Sequence, residues 1–247
     1  MEKKEFEPII LNKPDPDKQK SAKGVLNINQ EILQPNFTYL LVGKPGSGKS
    51  FILREIILNK DMYNKKFGLV LFITPSKFED PEIQLGPDNH SLTLNTAWIY
   101  SRLYRYRDFI NNKYKDEETQ PCKNILIIFD DVIGDLKQNE RNPDLISLFY
   151  NRRHLLGDKF MISIVVTTQK YILCPPKIRS VLTGVMAFVL MRMDWLKLQE
   201  ECIYDSLDKR VIDRFYRSLL NEPYAFLYIR LDNGKVFYKF EKCLNDV

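Results

Sequence analysis

An α/β fold, with a mainly parallel central sheet flanked by helices, is predicted by three features of this sequence. Apolar stretches of strand length alternate with stretches of helical periodicity in the order βαβαβαβαβ. The middle three strands are apolar almost without interruption, which means burial on both faces rather than the alternation of a half-exposed sheet. Finally, Gly43-Lys44-Pro45-Gly46-Ser47-Gly48-Lys49-Ser50 fits GxxxxGK[ST] between the first strand and the first helix, where a phosphate-binding loop belongs.

The elements follow in order. Up to about Gly24 the chain mixes Lys, Asp and Glu with Pro8, Pro14 and Pro16, a composition that buries too little apolar surface to fold alone. Residues 1–34 are therefore expected to be a flexible arm, and 35–247 one domain, a size that a single core supports. Strands are expected at Asn36–Val42, Phe67–Thr74, Asn124–Phe129, Phe160–Thr167 and Gly184–Met191. Phe51 to Leu58 has helical composition after the loop. Thr96–Tyr114 puts Ile99, Leu103, Tyr106 and Ile110 on one face, and Pro143–Leu156 has Asn142 as cap, Pro143 in its first turn and Gly157 as its stop. Residues 194–247 read as an appendage of two helices, Trp195–Leu207 and Lys209–Leu220, and a hairpin in which Asp232-Asn233-Gly234 turns between Tyr224–Arg230 and Lys235–Phe240. There is no internal repeat.

Composition excludes several classes. Ile125–Phe129 and Val185–Met191, the longest apolar runs, fall far short of the roughly 20 residues that span a bilayer, and Met1-Glu2-Lys3-Lys4-Glu5 lacks an apolar signal core. A soluble, intracellular protein with no membrane partner is expected. Four scattered cysteines without a CxxC pair, and two histidines, point to reduced thiols rather than a metal site. The net charge of +5 permits a polyanionic partner without requiring one.

The residues that carry chemistry lie at strand ends. The cradle from Gly43 through Lys44, Pro45, Gly46, Ser47 and Gly48 turns backbone N–H groups toward a phosphate. Lys49 offers its ammonium to the β- and γ-phosphates, the Ser50 hydroxyl is a Mg²⁺ ligand, and Phe51 opens the helix whose N-terminus meets the anion. Asp130 and Asp131 close an apolar strand at the edge where a parallel sheet presents its ligand-facing groups. Asp130 is assigned to Mg²⁺ and Asp131 to polarising the attacking water; the bland alternative is that the pair caps a turn. Gln169, closing the next apolar strand, is expected beside Asp131, to bond the γ-phosphate or the lytic water, the alternative being an ordinary polar residue at a strand end. Glu55 is set aside because its helix should turn it to solvent.

Cations are less decided. Arg152 and Arg153 end the helix before the fourth strand, opposite the nucleotide edge, so either would act only on a neighbour's nucleotide; residues answering the helix dipole are an equal reading. Arg179 lies on the nucleotide side, with phosphate, a neighbour, DNA and plain surface all open. Trp98 to Arg107 interleaves aromatics with Arg102, Arg105 and Arg107, a candidate DNA contact whose stronger alternative is an amphipathic helix with a solvated basic face.

The chain resembles the additional-strand (ASCE) class of P-loop NTPases, with an extra strand between the loop strand and the Asp-Asp strand and a later strand ending in Gln. Within that class it is similar to the FtsK–HerA superfamily, and most of all to the poxvirus-type genome-packaging ATPases of large DNA viruses. The likeness rests on Gly43–Ser50, Ile125–Asp131, Asn151-Arg152-Arg153-His154 and Thr167-Thr168-Gln169 with the Pro-Pro-x-x-Arg stretch after it, and spans about residues 36–190. It implies ATP and Mg²⁺ as cofactors, Lys49 and Ser50 on phosphate and metal, Asp130 on Mg²⁺, Asp131 as catalytic acid, Gln169 as sensor and Arg153 as a finger in trans. Most relatives place Glu where Asp131 stands. The implied function is a homo-oligomeric ring, pentamer or hexamer, driving double-stranded DNA into a capsid, with a capsid or portal protein as partner and the host cytoplasm at assembly sites, or the virion, as location. Alternatives are another DNA translocase or helicase, a phage-assembly ATPase, a P-loop nucleotide kinase, and a binding module that hydrolyses too slowly to matter.

Overall fold

The computed structural model describes residues 28, 33–34, 36–76, 83, 85–86, 88–114, 122–203 and 207–245. Nearly all of the arm expected over 1–34 lies outside the described residues. The strands are β1 (Thr38–Val42), β2 (Leu69–Ile73), β3 (His90–Ser91), β4 (Asn124–Phe129), β5 (Met161–Thr168), β6 (Gly184–Ala187), β7 (Leu227–Arg230), β8 (Val236–Tyr238) and β9 (Lys242–Cys243). The helices are α1 (Lys49–Leu58), α2 (Thr96–Lys113), α3 (Ile133–Gln138), α4 (Pro143–Tyr150), α5 (Pro176–Arg179), α6 (Arg192–Cys202) and α7 (Lys209–Asn221).

The nine strands among the described residues join one sheet in the order β3-β2-β4-β5-β1-β6-β7-β8-β9. The first six run parallel and the last three antiparallel. The α/β expectation is borne out. The strand interposed in space between the loop strand and the Asp-Asp strand is β5, the one ending in Thr168 and Gln169; β2, interposed in sequence, pairs outside β4.

Unbroken apolarity has the cause inferred for it. Leu40, Val42, Ile125, Ile127, Phe129, Ile162, Ile164 and Val166 face one buried cluster, which also holds the inner face of α2, while Tyr39, Leu41, Leu126, Ile128 and Val165 face another, built on α1. Successive residues point to opposite sides, so a strand covered on both sides has no polar position left. At the start of β2 the fit is tight. A Cβ on Gly68 would lie 1.9 Å from the Tyr106 hydroxyl oxygen and 2.1 Å from the Cys122 carbonyl oxygen, and that hydroxyl donates to that carbonyl at 2.6 Å. Gly68→Ala is expected to destabilise the protein by about 3 kcal/mol, because one of the clashing atoms is backbone; chemical unfolding measures it.

Two boundaries near the site, and one exposure, differ from the expectation. β6 stops at Ala187, four residues early, because its ladder with β7 covers Gly184–Ala187 alone and Phe188 then turns beneath the phosphate loop. α4 has the expected cap, with Asn142 Oδ1 accepting from Asp144 N (2.9 Å) and Leu145 N (3.3 Å), yet ends at Tyr150. Beyond it Arg152 turns inward to the Asn36 carbonyl at 3.4 Å. Glu55 is half-buried rather than turned fully to solvent, and accepts from Asn59 Nδ2 at 2.8 Å, serving the end of its own helix.

On α2 the packing supports the stronger of the two readings, an amphipathic helix rather than a DNA contact. Ile99, Leu103, Tyr106 and Ile110 are buried as expected, but Arg102 is buried with them and pairs with Asp88 at 3.2 Å. Arg107 pairs with Asp108 at 2.9 Å and lies over the Tyr104 ring at 4.9 Å. Two of the three charges are thus used inside the chain, and α2 is an amphipathic helix against the sheet. Among the described residues, no helix is long and apolar enough to cross a membrane.

Candidate nucleotide site

The site is assembled where β1, β4 and β5 end. Gly43 N donates to the Thr168 carbonyl at 3.1 Å, which binds the start of the loop to the end of β5. Gly46 and Gly48 take left-handed φ of +73° and +106°, conformations that glycine adopts without strain, and Gly48 then caps α1. A Cβ at Gly43 would meet Phe188 Cβ at 2.6 Å and Ser47 Oγ at 2.7 Å, whereas one at Gly46 would meet nothing within 4 Å. Gly43 is thus required by packing and Gly46 by backbone shape. Lys49 Nζ donates to the carbonyls of Gly43 (2.7 Å) and Lys44 (3.0 Å), so its ammonium lies over the loop. Burial lowers the Lys49 pKa, with the charges of Asp131 and Asp130 opposing the shift. An anion in the loop would favour the charged ammonium as those carboxylates do.

The two aspartates are held differently. Asp130 N donates to Ile73 O at 2.9 Å, and its carboxylate accepts from Thr167 Oγ1 at 2.6 Å. Burial raises its pKa, the Thr167 bond pulls it down, Asp131 raises it and Lys49 lowers it. Asp131 is exposed, with φ +56°, and its backbone N–H donates to the same Thr167 Oγ1 at 3.0 Å. One buried hydroxyl therefore locks both aspartates. Left-handed backbone at a non-glycine residue is strain of the kind that collects at functional sites. Gln169 Nε2 stands 3.3 Å from Asp131 Oδ2 and 3.5 Å from Oδ1. Lys49, Asp130, Asp131 and Gln169 thus meet at one sheet edge.

Mg²⁺ is not held by a ready-made cage: among the described residues no group of three or more His, Cys, Asp or Glu forms a cluster. The donor set nevertheless fits. Mg²⁺ takes one or two protein oxygens and completes its shell with water and substrate phosphate. Ser50, in the first turn of α1, and Asp130, just after β4, are hard oxygen donors that would hold it. When bound it would neutralise charge developing on the phosphates.

The arginines lie elsewhere. Arg152 is buried, its Nε has no partner, and burial followed by repulsion from Arg153 lowers its pKa to about 10. Its bond to Asn36 puts this segment at the opposite end of β1 from the loop, roughly 20 Å away at strand spacing. Arg153 is exposed, with no ion-pair partner among the described residues. Arg179 is engaged: it pairs with Glu201 at 2.9 Å, donates to the Cys174 carbonyl at 2.7 Å and lies over the Tyr171 ring at 5.3 Å. It ties the loop after Gln169 to α6.

Sequence reading missed two parts of this edge. The Thr167 hydroxyl has no role legible in the strand pattern, where Thr167 is one of three polar residues that close an apolar run. A cleft of about 320 Å³ beside the loop, between Lys44–Ser47, Phe188–Val189 and residues 219–225, was not foreseen, because it is closed by the appended C-terminal segment.

A phosphate-binding loop, an Asp-Asp strand two positions away in the sheet, and between them a strand ending in Gln define a P-loop ATPase of the additional-strand class. More particularly, the chain belongs to the poxvirus A32 protein family, whose model matches residues 27–215. The resemblance drawn from its motifs is borne out. A comparison with curated proteins returned no match. Among solved structures, the genome packaging NTPase B204 from Sulfolobus turreted icosahedral virus 2 in complex with AMP is similar, with TM-score 0.58 and 12% identity over 85% of this chain and 100% of that one. Its complex with ATP-gammaS gives TM-score 0.53 at 12% identity, again over 85% and 100%. B204, the DNA-packaging ATPase from Sulfolobus Turreted Icosahedral Virus, gives TM-score 0.52 at 11% identity over the same shares. At such identity these likenesses speak for the fold.

Proposed function

We propose that this chain is an ATP-hydrolysing motor that moves double-stranded DNA, packaging a viral genome into its capsid, and that it works as a homo-oligomeric ring. The observation that carries the reading is the meeting of Lys49, Asp130, Asp131 and Gln169 at one sheet edge in a member of the poxvirus A32 family. The B204 proteins that share the fold are named a genome packaging NTPase and a DNA-packaging ATPase, which supports the same work here.

In this reading the loop and Lys49 grip the β- and γ-phosphates, while Asp130 and Ser50 hold Mg²⁺. Asp131 accepts hydrogen bonding from the attacking water and takes up its proton, and Gln169, already beside Asp131, senses the γ-phosphate. Thr167 is a positioning residue that fixes both carboxylates. Arg153 supports the ring: it is exposed and about one strand length from its own loop, and in this reading it serves the phosphate of a neighbouring subunit. DNA gripping by such a motor is sequence-blind and salt-sensitive, made by cations and backbone N–H groups on phosphates.

A nucleotide kinase shares the loop but has to exclude water from the γ-phosphate. The Asp131–Gln169 pair, both exposed at the strand ends, instead suits a water nucleophile. Steady-state hydrolysis of ATP, with and without duplex DNA at low and moderate salt, tests the proposal. Duplex stimulation that weakens with salt is expected. Turnover indifferent to DNA but raised by a nucleoside acceptor would transfer the protein to the phosphotransferases.

A further inference from the structure

The sheet order fixes which way a nucleotide lies. Asp130, Asp131 and Gln169 end β4 and β5, on one side of the loop strand β1, so the γ-phosphate points to that side. The nucleoside end must then extend to the other side, toward β6 and β7. There lies the cleft of about 320 Å³, its walls formed by Lys44–Ser47, by Phe188 and Val189, and by residues 219–225. The volume falls at the small end of the range for small-molecule sites, roughly 300–1,000 Å³.

Its surfaces suit a flat ring. Phe188, buried and packed on Phe226 at 5.3 Å between ring centroids, belongs to the core behind the loop. Leu220 and Tyr224 line the same cleft while 60% and 67% exposed. Tyr224 is held there at a cost: its φ is +62°, and its Cδ1 and Cβ come within 3.3 and 3.4 Å of where a Cβ on Gly48 would stand. The turn carrying it is pinned from the hairpin, because the Tyr238 hydroxyl and the Lys239 ammonium both donate to the Glu222 carboxylate, and Lys239 N donates to Phe226 O at 2.9 Å. An aromatic side chain strained into the open, against the residue that caps the phosphate-binding helix, is built to meet a ligand.

We propose that this cleft is the nucleoside subsite of the nucleotide site, that Tyr224 stacks on the base of ATP, and that Glu222 with Lys239 positions the turn that presents it. The inference rests on the phosphate-loop reading above. It assigns a binding role to residues 219–225, which lie beyond the stretch matched by the family, and it makes the C-terminal hairpin part of the nucleotide site.

The test compares a ligand that has a nucleoside with one that lacks it. Calorimetric titration of the full chain with ATPγS and with tripolyphosphate, both with Mg²⁺, is expected to show tighter binding of ATPγS. Tyr224→Ala should weaken ATPγS at least tenfold, as loss of base stacking does, and leave tripolyphosphate within twofold. Tyr224→Phe, which keeps the ring, should restore ATPγS binding, a rescue that general damage to the fold would not give. Equal binding of the two ligands by the parent chain, or ATPγS affinity in Tyr224→Ala within twofold of the parent, overturns the subsite while leaving the phosphate loop standing. Equal losses of both ligands in Tyr224→Ala also overturn it. A parent chain that binds neither ligand overturns the loop reading and the subsite together.

Discussion

Replacing Asp131 by Asn is expected to lower kcat for ATP hydrolysis by about 10²–10⁴, the usual worth of a positioned proton acceptor. The variant should still bind nucleotide. Lys49 and the loop glycines are held by their own bonds, Lys49 to the Gly43 and Lys44 carbonyls and Gly43 to Thr168, none of which uses the Asp131 carboxylate. The backbone of Asp131 is fixed through its N–H to Thr167, a bond that the amide side chain leaves in place. Lys49→Ala, by contrast, should lose binding and turnover together. A phosphate-release assay beside nucleotide titration separates the two. An Asp131→Asn variant with more than a tenth of parental kcat would remove Asp131 from the chemistry.

Arg153→Ala is expected to reduce turnover by about 10³–10⁵, the range for an arginine supplied by a neighbour. Neither this chain nor Lys49→Ala should hydrolyse ATP alone. Mixed together they should recover measurable activity, because an intact loop on one subunit then meets an intact Arg153 on the next. Recovery is the signature of action in trans, which an arginine serving its own subunit cannot produce. Arg152 gives the contrast. Buried, unpaired at Nε and depressed in pKa by that burial, it is a charge held with little compensation. Arg152→Met should leave thermal stability within about 1 kcal/mol of the parent, since a long apolar chain replaces a poorly solvated cation. Arg153→Ala with unchanged turnover, or a mixture as inactive as its parts, would remove the finger and with it the main argument for a ring.

Much of this was legible because strongly constrained residues leave local marks. Gly43 to Ser50 announces its loop, since a turn around phosphate needs glycine at Gly46 and Gly48, where φ is positive. Continuous apolarity announced a two-sided sheet, and Asn142-Pro143 announced the start of α4. The hidden parts depend on distant partners. Which strand separates β1 from β4 is decided by pairing between segments far apart in sequence, and periodicity carries no record of it. Arg102 looks like part of a basic stripe until Asp88, fourteen residues upstream, is brought to it. The short elements β3, α3, α5 and β9 are too brief to show a period. Thr167 reads as one more strand residue until its hydroxyl is seen between two aspartates, and Tyr224 reads as a hairpin residue until β7 pairs with β6 and sets it beside the loop.

The central claim, ATP-driven movement along duplex DNA, is tested most directly by displacement of a third strand. A labelled oligonucleotide bound as a triplex to a linear duplex is incubated with the protein, and its release is followed with time. Release is expected with ATP and Mg²⁺, and should be absent with ATPγS and with the Asp131→Asn chain. A protein that hydrolyses ATP at full rate on this duplex yet leaves the third strand in place would contradict the motor.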